Sequence, residues 1–397
     1  MLGSTWSMGQ DCRQMKKWIA GIVAMTAFFA CKEPFEPELS QADLSVLTVE
    51  GYLDTEGKAS ELYLGYTRRI YGENLGPGST PALGAEIYLL SSSGQRYDLS
   101  DQGGGFYLFQ NDVAEDDTYQ LKISFGGTES YTSDPIRPMI STAIEDVNYE
   151  KDERGVEIYV TTRGSREVDD FIWTFSETYA FSPKFISPYI YRPESQDVET
   201  RLPEETIYHC YRTLKSPDLI LETSSNFDEN VIFKKPITRI FPGDERLSNK
   251  YSILVSQMAL SPDAAEFWEI MRQNTDDIGT IFSPMPSNIT GNLTNDQDPE
   301  AAVIGYVSMG VIQQRRLFIR VQDVSPWTND LSAYFDCELD ADTVTASGYE
   351  ERFGTGVKFP AMAVFAQSSI IGYRSALRRC VDCTLRGTNV RPDFWED

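Results

Sequence analysis

Histidine is almost missing from this sequence: His209 is the only one. Its scarcity argues against zinc sites built on histidine pairs and leaves imidazole acid–base chemistry to one residue. Positive charge is also short. Thirty-five Lys and Arg stand against 60 Asp and Glu, for a formal net charge of −25. Phosphate backbones and anionic headgroups repel such a surface, which argues against nucleic acid and against polybasic attachment to lipid. The acidity reads as solubility in a crowded extracytoplasmic space. Beyond residue 31 no apolar run reaches about 18 residues, so no later segment is read as a spanning helix. No GxSxG elbow, HExxH, P-loop or strand-borne GxGxxG occurs. No catalytic residue is nominated, and a non-enzymatic protein is expected. A glycosidase-type carboxylate pair could not be located among so many acids.

What is present begins with an address. Lys16 and Lys17 form a positive start, and Trp18–Ala30 (WIAGIVAMTAFFA) then runs almost free of polar residues to Cys31. As a helix this run rises roughly 20 Å, short of the roughly 30 Å of a hydrocarbon core, so it reads as a signal segment. Residues 1–30 are therefore expected to be a signal peptide with its true start at Met15. A small residue directly before cysteine is the arrangement of bacterial lipoproteins, which predicts lipidation at Cys31. Phe28 and Phe29 depart from the usual leucine-plus-small pattern. Several acyl chains, at about 0.8 kcal/mol per buried methylene, make such an anchor effectively permanent. Residues 31–43, rich in Pro and Glu, read as an extended tether.

From Val46 the pattern takes period two. Tyr119–Phe125 alternates apolar and polar without error, which predicts a strand with one buried face. Ala85–Leu90, Arg96–Leu99 and Phe106–Phe109 read as short strands between glycine-bearing turns. This spacing predicts an immunoglobulin- or prealbumin-like β-sandwich over 44–136, ended by Asp134-Pro135 and Arg137-Pro138. A larger β-rich domain with few helices is expected over 137–397. Its strands are read at Val156–Thr161, Phe171–Phe175, Ile253–Gln257, Val303–Ser308, Leu317–Val321 and Phe359–Ala366. One helix stands out, capped by Ser261 with Pro262 in its first turn. Its stripe of Ala264, Phe267, Trp268 and Met271 reads as core packing against a sheet.

Apart from Cys12 and Cys31, the cysteines are Cys210, Cys337, Cys380 and Cys383. In an exported chain they predict two disulfides, with three connectivities open. A four-cysteine metal site would need two close pairs, and only Cys380/Cys383 is close. A redox CxxC lacks its usual βαβ setting. Asn295–Asp298 offers oxygen ligands but no calcium-loop spacing, and reads as a polar turn. Asn288 and Asn292 begin sequons that a bacterial lipoprotein is not expected to use. Asp342-Thr343-Val344 resembles the O-glycosylation site of Bacteroidota surface proteins. Tyr179–Tyr191 concentrates bulky side chains among prolines. It reads as a loop folded over a core, or alternatively as a docking surface of Tyr179, Phe181, Phe185, Tyr189 and Tyr191.

The ending Cys380-Val-Asp-Cys383-Thr-Leu-Arg-Gly387 through Pro392-Asp-Phe394-Trp395 resembles the close of a Bacteroidota lipoprotein family, the domain of unknown function 4249. Leu47–Gly51, Tyr251–Gln257, Pro284–Asn292 and Val303–Tyr306 agree with it, and the resemblance runs from about Cys31 to the end. It implies an outer-membrane, surface-exposed lipoprotein encoded beside TonB-dependent receptors. The function expected is ligand capture or uptake in association with such a transporter barrel, with no cofactor beyond the lipid on Cys31. Two alternatives stand beside it: an accessory subunit of an assembly for protein export or barrel insertion, and a surface hydrolase.

Overall fold

A computed structural model describes residues 46–67, 79–127, 129–216, 218–276, 291–328 and 332–396. The expected signal segment, Cys31, the tether and Asn288 lie outside these residues. Among the described residues no helix is long and apolar enough to cross a membrane.

Strand β1 (Leu47–Asp54) shows what organises the chain. Leu47, Val49 and Leu53 point to one side and are buried, while Thr48, Glu50 and Tyr52 point to the other, as the period of two requires. It pairs antiparallel with β2 (Ser60–Thr67), which carries β3 (Ser79–Pro81) and continues through β7 (Phe106–Phe109) to β6 (Ser100–Gly103). A second sheet covers its inner face, built from β4 (Ala85–Ser91), β5 (Arg96–Asp98), β8 (Tyr119–Phe125) and β9 (Glu129–Ser133). Ile87, Leu89, Leu121 and Ile123 meet Leu62, Leu64 and Phe109 in a common core, each contributing roughly 1.5–3 kcal/mol on burial.

This sandwich is not closed by residues 44–136. On the far edge of β1, strand β21 (Val303–Val311) pairs in parallel, and β10 (Met139–Ile140) pairs in parallel with β21. Strand β20 (Leu293–Asn295) adds to β9 in the other sheet. The expected boundary at 136 is thus corrected: a pattern of alternation locates strands but carries no information on which distant strand completes a sheet. Gly305 permits the junction. Its φ is +146°, and a Cβ there would lie 2.0 Å from the Val49 carbonyl oxygen.

The second sandwich sets β11 (Ile144–Asp152), β12 (Gly155–Arg163) and β18 (Val231–Ile240) against a larger sheet. That sheet runs β16 (Cys210–Lys215), β13 (Asp170–Phe181), β19 (Lys250–Leu260), β22 (Gln313–Arg320), with β17 (Ile220–Thr223) also on β13. Phe171, Trp173 and Phe181 of β13, with Tyr251, Ile253 and Val255 of β19, fill its core. The indole of Trp173 donates to Gln257 Oε1 at 2.9 Å, and the Gln257 amide donates to Thr142 O at 2.7 Å, so this buried polar pair is satisfied.

Helix α1 (Pro262–Asp276) starts where the sequence placed it, with Ala264 N donating to Ser261 Oγ at 3.3 Å. Ala264 and Phe267 are buried, and Trp268 packs beside Ile172, Met258 and Leu260. The C-terminal part comprises hairpins β14 (Tyr189–Arg192) with β15 (Asp197–Thr200) and β23 (Lys358–Ala366) with β24 (Ser369–Leu377), and a short helix α2 (Tyr349–Phe353). The fold is mainly β, an N-terminal sandwich followed by a larger β-rich region with few helices.

Candidate functional site

Each sandwich uses one face of its central sheet for its own core, which leaves an outer face. The two outer faces meet. Ile172, Met258 and Leu260 of the second sandwich form a cluster with Tyr52 and Tyr306 of the first, and α1 adds Ala264 and Trp268. The Tyr52 hydroxyl donates to the Ala259 carbonyl at 3.1 Å, fixing the two sheets to one another. Burial pushes that phenol far above its ordinary pKa, so it remains a donor.

Beside this contact the faces diverge and leave a cleft of about 470 Å³. That falls in the usual range for small-molecule sites. One wall carries Ile172, Leu254, Met258, Leu260 and Trp268, with Thr174, Ser176, Ser256 and Gln314 among them. The opposite wall carries Glu50 and Tyr52 from β1 and Ser308 from β21. At the mouth Lys215 Nζ meets Glu61 Oε2 at 2.7 Å. This exposed ion pair contributes roughly 0–1 kcal/mol at most, and it reaches from one sandwich to the other. The charged residues lining the cleft are Glu50, Glu61 and Lys215. Once Lys215 and Glu61 are paired, the Glu50 carboxylate is left over.

Two groups here lack partners. The Glu50 carboxylate has no hydrogen-bond or ion-pair partner among the described residues; the residue is exposed at the cleft, and partial burial raises its carboxyl above the ordinary value. Ser308 is 6% exposed, and its Oγ has no hydrogen-bond partner. An unsatisfied buried hydroxyl costs about 1–3 kcal/mol, so its retention on a cleft wall calls for a reason. Asp54, just below, is unlike both. Its carboxylate accepts from Glu56 N, Lys58 N and Ile312 N at 2.9–3.0 Å and is fully employed in holding β1 to the end of β21.

A second cavity, of about 520 Å³, lies between β17 and α1. Four of its charged residues are paired, Lys235 with Glu222 at 2.7 Å and Arg272 with Glu269 at 2.7 Å, and Asp170 also lines it.

Of the residues singled out by sequence, the cysteines form two disulfides, Cys210–Cys383 and Cys337–Cys380. The CxxC is split between them, so Cys380 and Cys383 are not a redox pair. No group of three or more His, Cys, Asp and Glu placed to hold a metal occurs among the described residues. His209 bonds the Tyr211 hydroxyl at 3.2 Å. Asn295 Oδ1 accepts from Gln297 N and Asp298 N, closing a turn. Thr343 is exposed.

The docking surface read at Tyr179–Tyr191 is corrected. Tyr179 and Phe181 belong to β13 and are buried in the second core. Phe185 packs on the small cluster around the Cys337–Cys380 disulfide. Tyr189 lies 4.8 Å from the Tyr373 ring and Tyr191 6.5 Å from the Phe353 ring. Exposed apolar surface stands instead on the β23–β24 hairpin, at Met362, Phe365, Ile370 and Ile371.

The geometry defines a class: a two-sandwich β protein with a ligand-sized cleft between its outer sheet faces. Within it the chain belongs to a particular family, described as Domain of unknown function (DUF4249), which matches residues 32–316. The Cys380–Trp395 ending lies beyond the matched residues. Comparison with curated proteins gives no match. Among solved structures, a two fibronectin type-III domain segment from chicken tenascin is similar at 11% identity, over 53% of this chain and 89% of that one, with a TM-score of 0.14.

Proposed function

We propose that this protein is a Bacteroidota outer-membrane lipoprotein, anchored through Cys31 and exposed at the cell surface, that captures a small ligand for a TonB-dependent transporter. The single observation that carries the capture role is the cleft between the sandwiches, with an unpaired carboxylate and an unpaired buried hydroxyl in a site of ligand size. The lysine pair, apolar run and cysteine at residues 16–31 support the anchor. The exposed apolar tip of the β23–β24 hairpin supports a protein partner, since clustered apolar side chains on a surface mark interaction sites.

Purification of the full chain from its own membrane in mild detergent tests the reading. A transporter barrel should co-purify with wild type, and replacing Phe365 and Ile371 by serine should release it. Cys31→Ser should move the protein out of the membrane fraction and abolish labelling by palmitate. A chain that leaves the membrane as a clean monomer, with no barrel attached, would count against the partnership; unlabelled Cys31 would count against the anchor.

A further inference from the structure

The proposed capture role leaves open what is captured, and the cleft narrows it. We infer that the cleft takes a small amphiphile bearing a primary ammonium group, with Glu50 as its counter-ion, Ser308 Oγ as a second polar contact and an apolar body lying along Ile172, Leu254, Met258 and Trp268. This inference rests on the capture reading and deepens it.

Charge decides the sign of the head. The cleft is lined by two glutamates and one lysine, and the lysine is already bound to Glu61 at 2.7 Å. A net negative charge therefore remains, held by Glu50. An anionic ligand would meet that carboxylate with no free cation on the lining to offset it, whereas an ammonium neutralises it. Glu50 is exposed at the cleft and its carboxylate has no partner, so an ammonium can reach it and form a charge-assisted bond without displacing another group.

Register decides the spacing. In the parallel pair, Glu50 stands opposite Tyr306 and Tyr52 opposite Ser308, so Glu50 and Ser308 share a face at a diagonal position. Strand geometry separates their Cα atoms by about 8 Å. A head with its nitrogen on Glu50 and a second hydrogen-bonding atom a few bonds away spans the two. The facing wall carries Thr174, Ser176, Ser256 and Gln314 as well as hydrocarbon and indole, and the apolar body lies along the stretch of Ile172, Leu254, Met258 and Trp268.

The test is calorimetric titration of the full-length protein with tryptamine, phenethylamine and octylamine, beside the matched alcohols tryptophol, phenylethanol and octanol. Wild type should bind the amines at least tenfold more tightly than the alcohols. Glu50→Gln should erase that preference, and Ser308→Ala should weaken the amines that carry a second hydrogen-bonding atom. Amine affinity should also fall as acid protonates Glu50, a readout on wild type that stands even if a variant fails to fold. Equal binding of amine and alcohol, an unchanged preference in Glu50→Gln, or no binding of any probe at millimolar concentration would each overturn the inference. None of these results bears on co-purification of a barrel, so the two proposals fail separately.

Discussion

Tyr251 donates its hydroxyl to Glu177 Oε1 at 2.5 Å inside the second sandwich, where the carboxylate would otherwise be a bare charge. Arg246 Nη1 donates to the same oxygen at 2.7 Å and Arg246 Nη2 to Asp244 at 2.8 Å. Glu177 holds the Tyr251 phenol well above its ordinary pKa together with burial, which comes first in effect. Neither of the two cavities described above is lined by this group, and its bonds tie β13 and β19 to the following loop. Arg246→Met leaves Glu177 buried with one partner fewer, and should cost about 3–5 kcal/mol by urea denaturation. The double variant Arg246→Met, Glu177→Gln should recover part of that loss. A single-variant loss below about 1 kcal/mol would show the ion pair to be idle.

The two disulfides close loops of very different length, 173 residues for Cys210–Cys383 and 43 for Cys337–Cys380. Chain-entropy scaling gives about 5 and about 4 kcal/mol respectively as the constraint each places on the unfolded chain. Replacing both members of either pair by alanine should therefore lower stability severely, with the longer loop costing more. Parallel chemical melts of the two variants check the ranking. Equal or reversed losses would indicate that local packing, not loop closure, sets the contribution.

Gly305 is a sharper case. Alanine there would set its Cβ 2.0 Å from Val49 O, a backbone atom that cannot step aside without breaking the β1–β21 ladder. The expected loss exceeds about 3 kcal/mol, against about 1 kcal/mol for Gly94→Ala, where φ is +89° but the surroundings are open. Thermal melts of the two variants side by side decide it.

Asp340 ties the last hairpin down. Burial acts to raise its pKa, but hydrogen bonds from Lys358 and Ser375 and the charges of Lys358 and Arg352 outweigh it, and the carboxyl is held below the usual range. A carboxylate depressed on folding gives stability that is present above its unfolded pKa, about 4, and is lost as pH falls through the lower folded value. Unfolding followed from pH 6 down to 2 should show this loss in wild type. Asp340→Asn should be less stable at pH 6 and should flatten the acid limb; an unchanged limb would remove Asp340 from the account.

Where one face of a strand is wet, the sequence spelled it out. Tyr119–Phe125 and Phe106–Phe109 are found at the residues expected, and Ala85–Leu90 extends by one. Alternation fades where both faces are covered. In β13, Phe171, Trp173 and Phe181 point into the core while Ile172 and Ala180 are buried on the other side. The strand thus ran on through Tyr179 and Phe181, where a loop had been read. The cleft was illegible for a related reason. Glu50 and Ser308 occupy ordinary outward positions, and nothing local says that another sheet faces them. The one available signal was apolar side chains on outward positions, as at Tyr52, Ile172 and Met258, which betrays a strand whose second face is also enclosed.

The parallel seam between β1 and β21 joins segments some 250 residues apart in the chain, by the numbering of Leu47 and Val303. An emerging chain therefore exposes the open flank of β1 until nearly four-fifths of its length is out, and only then can the first sheet be sealed. The amino-terminal half has no finished state of its own. Emergence of β21 must precede completion of the part that left first, and a shielding helper during that interval would find its footing on β1.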